Sequence, residues 1–208
     1  MRQQFAKKLT ILVVLILAAV VVWLSSSYGK IKAFAIEKNK TDTVAYIQKH
    51  LAALVKPEDF SDKNPARQQQ VFQAFFDTIQ SPQLVRIKVW DRNFNVIWSN
   101  LSELIGQRFP DNHEVQEALE GNVEFEIEKQ KSEHFSERQY DELSETYVPI
   151  PNPNKDIIGV IEVYQPTSPL YDEINAQFRK VVIQSFGVVL VASALLALLF
   201  RLILNKAG

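Results

Sequence analysis

The sequence predicts an α+β domain, one antiparallel sheet of about five strands with a long N-terminal helix, flanked by two transmembrane helices. Three observations carry this. Apolar runs occur near both ends, at 9–24 and 181–204, with Arg201 their only charge. Residues 28–79 place apolar side chains at helical spacing, whereas 85–98, 123–127 and 146–164 alternate with period two. One run of helix, a sheet and an exit helix make an α+β layer pair.

The first apolar run, Leu9 to Leu24, reads LTILVVLILAAVVVWL and follows Arg2, Lys7 and Lys8. With Ser25 to Ser27 it approaches the ~20 residues that cross a bilayer core. A cleaved signal peptide is the rival reading, since Ser25–Ser27 and Ala33-Phe34-Ala35 offer small residues. The run exceeds the ~7–15 residues of a signal h-region, and Ala35 lies well beyond it, which favours an uncleaved anchor. The second run, Val181 to Leu204, has Arg201 as its only charge. An arginine near a helix end can snorkel to the headgroups. Trp23 and Tyr28 suit an interfacial aromatic belt, and Ser193 with Ala197 form one small-xxx-small pair.

The formal net charge of −1 is a cancellation between compartments. All 24 acidic residues lie between 25 and 180 with 18 Lys/Arg, a balance of −6, while the ends carry +5. The positive-inside rule then puts both termini of a two-pass protein in the cytoplasm. The expected organisation is a cytoplasmic tail at 1–8, a first span at 9–27, an extracytoplasmic domain at 28–180, a second span at 181–204 and a cytoplasmic end at 205–208. Membrane lipid is the implied surrounding, and no folded part is basic enough to suggest nucleic acid. The absence of cysteine rules out a disulfide scaffold, a thiolate zinc site and a cysteine nucleophile.

Between the spans, Val44, Ile47, Leu51 and Leu54 form an a/d-like stripe, which predicts pairing of two protomers along a helix that Pro57 ends. Asn64 caps a second helix with Pro65 at its first position, and Phe72, Phe75, Phe76 and Ile79 give it a core face. Val85, Ile87 and Val89 alternate with Arg86 and Lys88, Asp91 to Asn95 turn, and Val96-Ile97-Trp98 returns as the second strand of a hairpin. A short helix spans Asn112 to Leu119 and stops at Gly121-Asn122. Val123, Phe125 and Ile127 form a strand whose other face, Glu124, Glu126 and Glu128, is read as solvated. Lys129 to Tyr140 reads as a loop or a frayed hairpin connection. Thr146 to Ile150 is a strand that Pro149 pushes toward an edge, the turn Pro151 to Asn154 comes next, and Ile157 to Tyr164 is the last strand. From Pro169 a helix runs through Leu170, Ile174 and Phe178 into the second span.

The run Val85-Arg86-Ile87-Lys88-Val89-Trp90-Asp91, then Asn95-Val96-Ile97-Trp98-Ser99 and Leu104-Ile105-Gly106-Gln107-Arg108-Phe109, resembles the core of PAS-like Cache (PDC) sensor domains. Tyr147-Val148-Pro149-Ile150 with Ile157 to Tyr164 resembles their last two strands. The likeness covers about 28–180 and is greatest to sensor histidine kinases among bacterial transmembrane receptors. It implies a five-stranded antiparallel PAS-like sheet with a long N-terminal helix. It departs at Phe94, where glycine often occupies the turn.

By that resemblance a ligand pocket lies on the sheet, beneath the loop before the late strands. Arg86, Trp98, Arg138, Tyr140 and Tyr147 are then the ligand-binding candidates, an arginine suiting a carboxylate and the aromatics forming a wall. The bland alternative makes both arginines solvated and Trp98 and Tyr147 core, which strand alternation alone explains. The acidic stretch 124–145 lacks EF-hand spacing, and His113 with Glu117 supply only two ligands, so no metal is expected. No cofactor is expected either. With no G-x-S-x-G, no H-E-x-x-H and no glycine-rich nucleotide loop, no catalytic residue is assigned. His50 lacks the acidic residue and proline of a phosphoacceptor box.

Two functions are compatible with this reading. The first is the sensory part of a two-component receptor, a homodimer binding a small molecule or partner outside and signalling through the second span to a cytoplasmic module or partner. Asn205 to Gly208 are too short for such a module, so the output domain is expected to be absent from this chain. The second is a membrane-anchored interaction or assembly protein with no signalling output.

Overall fold

Asn64 accepts hydrogen bonds from the Ala66 and Arg67 amides at 3.1 and 3.3 Å, so the expected cap starts the helix that carries the phenylalanine face. The structure is a computed structural model that describes residues 2–62, 64–129, 140 and 142–206. The helices are α1 (Arg2–Leu54), α2 (Pro65–Ile79), α3 (His113–Leu119) and α4 (Ser168–Lys206). The strands are β1 (Arg86–Asp91), β2 (Val96–Ser99), β3 (Glu124–Lys129), β4 (Glu142–Pro151) and β5 (Ile157–Pro166). The chain divides into two compact units, Glu37–Pro169 and the pair of segments Met1–Ile36 and Leu170–Gly208.

Unit Glu37–Pro169 holds one antiparallel sheet in the order β2-β1-β5-β4-β3. Five antiparallel strands with a long N-terminal helix are what the PAS-like resemblance implies, and the fold is α+β. The β1–β2 hairpin turns on Asp91, whose carboxylate accepts from the amides of Asn93 and Asn95 and from the Asn95 side chain at 2.7–2.9 Å. Phe94 takes φ 64° in that turn, the left-handed conformation glycine would adopt without strain. At the other end of the sheet Pro149 is less of an anomaly than its place in a central strand suggests. β3 pairs with β4 only over 142–147, so at 149 the strand has an open side and the missing N–H costs little.

Each face of the sheet carries its own core. On one face, Ile87 and Val89 of β1, Trp98 of β2, Val148 and Ile150 of β4 and Ile161 and Val163 of β5 pack with the α2 phenylalanines. Ile47 and Leu51 of α1 join them, buried to 1% and 7% exposure, with Val44 partly buried beside them. This corrects the expected dimer stripe: Ile47 and Leu51 are spent on their own sheet, and only Leu54 is left exposed. The opposite face carries Trp90, Val96, Tyr147 and Val160, covered by Val115 and Ala118 of α3.

In the second unit, the α1 and α4 segments meet edge to face at Tyr28 and Phe178, with ring centroids 5.2 Å apart. Ile11 to Leu17 and Ile183 to Leu198 leave large apolar side chains exposed. Both helices are long and apolar enough to cross a membrane. Ser185 and Ser193 return their hydroxyls to the carbonyls of Val181 and Val189, which satisfies them within the helix.

Candidate ligand face on the sheet

Period-two alternation decides which side chains of β1, β4 and β5 share the face under α3. Ile87 and Val89 point to the α1/α2 core, so Arg86, Lys88 and Trp90 point the other way. In register, Arg86 lies opposite Tyr164, Lys88 opposite Glu162, and Tyr147 opposite both Glu162 and Glu124. Glu126 and Glu145 pair across β3 and β4 on the same face. The outcome is a band of charged and phenolic groups sunk in the sheet. Arg86, Glu145, Tyr147, Glu162 and Tyr164 are each at most 7% exposed.

Buried charges need partners, and Glu162, fully buried, has two. One carboxylate oxygen accepts from the Lys88 ammonium at 3.0 Å, the other from the Trp90 indole N–H at 2.7 Å. Lys88 also donates to the Tyr164 hydroxyl, and its ammonium lies 4.7 Å from the centre of that ring. The Arg86 guanidinium lies 5.9 Å from the same ring centre. Tyr147 donates to Glu145 at 2.8 Å.

Burial, reinforced by the Glu162 and Glu145 carboxylates, pushes the Tyr147 hydroxyl far above the ordinary tyrosine range. Tyr164 is raised for the same reasons in the same order. Both phenols are therefore neutral donors or acceptors across the physiological range.

The structure brings together two of the five candidates read from the sequence. Arg86 and Tyr147 share this face. Trp98 does not join them: it sits opposite Val89 on the α1/α2 side, 5.5 Å from the ring of Phe76, as a core residue. Tyr140 is half-buried, and Arg138 lies outside the described residues, as does most of the expected loop 129–140. The expectation of a solvated acidic strand is also corrected, since Glu124 and Glu126 are half-buried and share the face of Tyr147. Sequence reasoning missed Lys88, Trp90, Glu145, Glu162 and Tyr164. The available signal was the i, i+2 spacing of polar pairs inside apolar strands: Arg86/Lys88, Glu145/Tyr147 and Glu162/Tyr164.

Among the described residues no cluster of three or more His, Asp or Glu side chains is set to hold a metal. The exposed His113 and the partly buried Glu117 form a pair at 3.7 Å on α3.

No family model and no curated protein matches the sequence. Among solved structures, the chain is similar to the sensor domain of DcuS from E. coli, at 19% identity and TM-score 0.46, covering 70% of this chain and 98% of that one. The sensory domain of the Campylobacter jejuni chemoreceptor Tlp3, solved with isoleucine bound, matches at 12% identity and TM-score 0.48 over 73% of this chain. That match spans 62% of the Tlp3 domain. A sensory box histidine kinase from Vibrio cholerae matches at 13% identity and TM-score 0.33, over 48% of this chain and 92% of that one. With identities and scores this low, none of them assigns a ligand or an output to this chain.

Proposed function

We propose that this chain is the sensory part of a membrane-bound receptor, with its sheet domain outside the bacterial inner membrane and both termini in the cytoplasm. The observation that carries the reading is the Lys88–Glu162 pair with Arg86 in the buried band of charged and phenolic groups on the sheet face under α3. Apolar replacements of equal volume would serve stability as well or better, and buried charge kept on this face supports a role beyond stability, here recognition. The two cations give this face the charge to bind a small-molecule carboxylate: the ligand anion would be held by Arg86 and by Lys88, which it would share with Glu162. Glu162 lies on β5, and Thr167 alone separates β5 from α4. A ligand that binds better when Glu162 has moved shifts the α4 start by that difference in affinity, and by no more.

The expected bounds, spans at 9–27 and 181–204 and a domain at 28–180, belong to this proposal, as does histidine-kinase output from a longer parent or partner. The homodimer expected from the α1 stripe is left without that support, since Ile47 and Leu51 pack on their own sheet. No reaction is assigned to this chain.

The test is thermal unfolding of the full chain in lipid nanodiscs against acetate, succinate, glutamate and neutral amides of similar size. A carboxylate that raises the midpoint, and loses its effect in Arg86→Gln, supports the reading. No stabilisation by any carboxylate counts against it. One observation favours an anchored interaction protein instead. The hydrogen bonds of Glu162, Lys88 and Tyr147 close within the domain, which a purely structural core would also produce.

A further inference from the structure

On the opposite face of the sheet, α1 changes character one turn before Ile47. Asn39, Thr43 and Tyr46 replace its apolar stripe, and a cleft of about 410 Å³ opens between them, the α2–β1 loop and the end of β5. Its floor is Ile47 and Val163. The volume sits at the lower end of the ~300–1,000 Å³ of small-ligand pockets.

The lining defines the chemistry. Thr43, buried, donates to the Gln165 side-chain carbonyl at 3.0 Å, which ties α1 to β5 across the cleft. The Asn39 side-chain carbonyl oxygen is buried and has no hydrogen-bond partner among the described residues. A buried acceptor left so costs free energy that a donor would recover. Ser81 and Gln83 add a hydroxyl and an amide from the loop. Among the described lining residues Asp42 alone is charged, and Lys38 neutralises it at 3.2 Å. No Lys or Arg is among the described lining residues, so the cleft is unsuited to anions, and its mixed lining, with Ile47, Ile79, Leu84 and Val163 beside the amides and hydroxyls, suits a molecule that has both polar groups and an apolar face. Tyr46 offers a half-exposed aromatic ring beside these groups.

We infer that this cleft is a second ligand site, separate from the charged face under α3, and that it takes a neutral, hydroxyl-rich molecule of monosaccharide size. A sugar hydroxyl donates to Asn39, others exchange hydrogen bonds with Gln83 and Ser81, and the C–H face of the ring lies on Tyr46. The inference does not depend on the carboxylate reading of the other face.

The experiment is titration calorimetry of the full chain in lipid nanodiscs with D-glucose, D-galactose, N-acetylglucosamine and myo-inositol. Calorimetry is chosen because sugars stabilise most proteins by exclusion, which raises a melting point without binding. At least one compound should give a saturable heat with one site per chain. Asn39→Leu should weaken it about tenfold, the worth of one hydrogen bond to a buried acceptor, and Gln83→Ala should weaken it too. Neither should weaken a carboxylate response from the other face. Because Asn39 has no side-chain hydrogen bond among the described residues, Asn39→Leu should melt no lower than the parent; should it misfold, Gln83→Ala, on an exposed loop, decides alone. No saturable heat from any of the four, or binding untouched by the substitutions, overturns the site.

Discussion

Lys88 and Glu162 face each other across β1 and β5 with ammonium and carboxylate 3.0 Å apart, the carboxylate fully buried and the lysine nearly so. Breaking a buried pair from one side strands the other charge, at a cost of about 3–5 kcal/mol. Glu162→Gln keeps an acceptor for the Trp90 indole but removes the countercharge, so about 3 kcal/mol of destabilisation is expected. Adding Lys88→Met should recover more than half of it. Denaturant unfolding of the two variants measures this, and strictly additive costs would show that the pair is not coupled.

Tyr147 and Tyr164 should leave a signature at high pH. Their hydroxyls are raised above the ordinary value of about 10, so the folded state holds protons that the unfolded state releases. The contribution is therefore fully present below about pH 10 and lost as pH rises above it, at about 1.4 kcal/mol per unit for each tyrosine. Absorbance titration should show these two ionising only together with unfolding. Reversible ionisation of all the tyrosines near pH 10 in the folded protein would contradict the burial.

Gly159 has no room for a side chain. A Cβ there would press into the Phe60 ring and lie 2.5 Å from the Trp90 carbonyl oxygen. Gly159→Ala should cost about 1–3 kcal/mol through overpacking. Phe60→Leu in the same chain should relieve only part of it, because the backbone oxygen cannot retreat. Full rescue would place the whole clash on the ring.

The turn at Phe94 gives an inverted ranking. Alanine is usually the better-tolerated truncation, but at φ 64° a Cβ costs about 1 kcal/mol or more. Phe94→Gly should therefore be more stable than Phe94→Ala by about that amount, although both lose the ring's packing against the α3-side core. Equal stabilities would mean the turn relaxes out of the left-handed region.

Where local chemistry determines structure, the sequence was legible. Asn64-Pro65 starts α2, Asn112 caps α3 with its side chain at 2.7 Å from the Val115 amide, and the period-two runs became β1, β2 and β5. β4 was read too short because Glu142 to Glu145 look like a polar loop. Their burial is set by β3 and β5 on either side, a long-range fact that no local window carries. For the same reason Trp98 and Tyr147, both aromatic in strands, could not be sorted to faces until the register was known. The α1 stripe misled because a heptad-like spacing states only that a helix has an apolar side, not which surface will cover it.

The charged band also bears on how β1 finds its place. If β1 slipped by one residue against β5, Ile87 and Val89 would turn into the charged face and Arg86 and Lys88 into the phenylalanine core. If it slipped by two in one direction, Lys88 would lie opposite Val160; in the other, Glu162 would lie opposite Trp90 and lose its cation. Every neighbouring alignment thus buries a charge without its partner. The pair that adds little to stability excludes the wrong sheets, and so acts as a checkpoint on assembly.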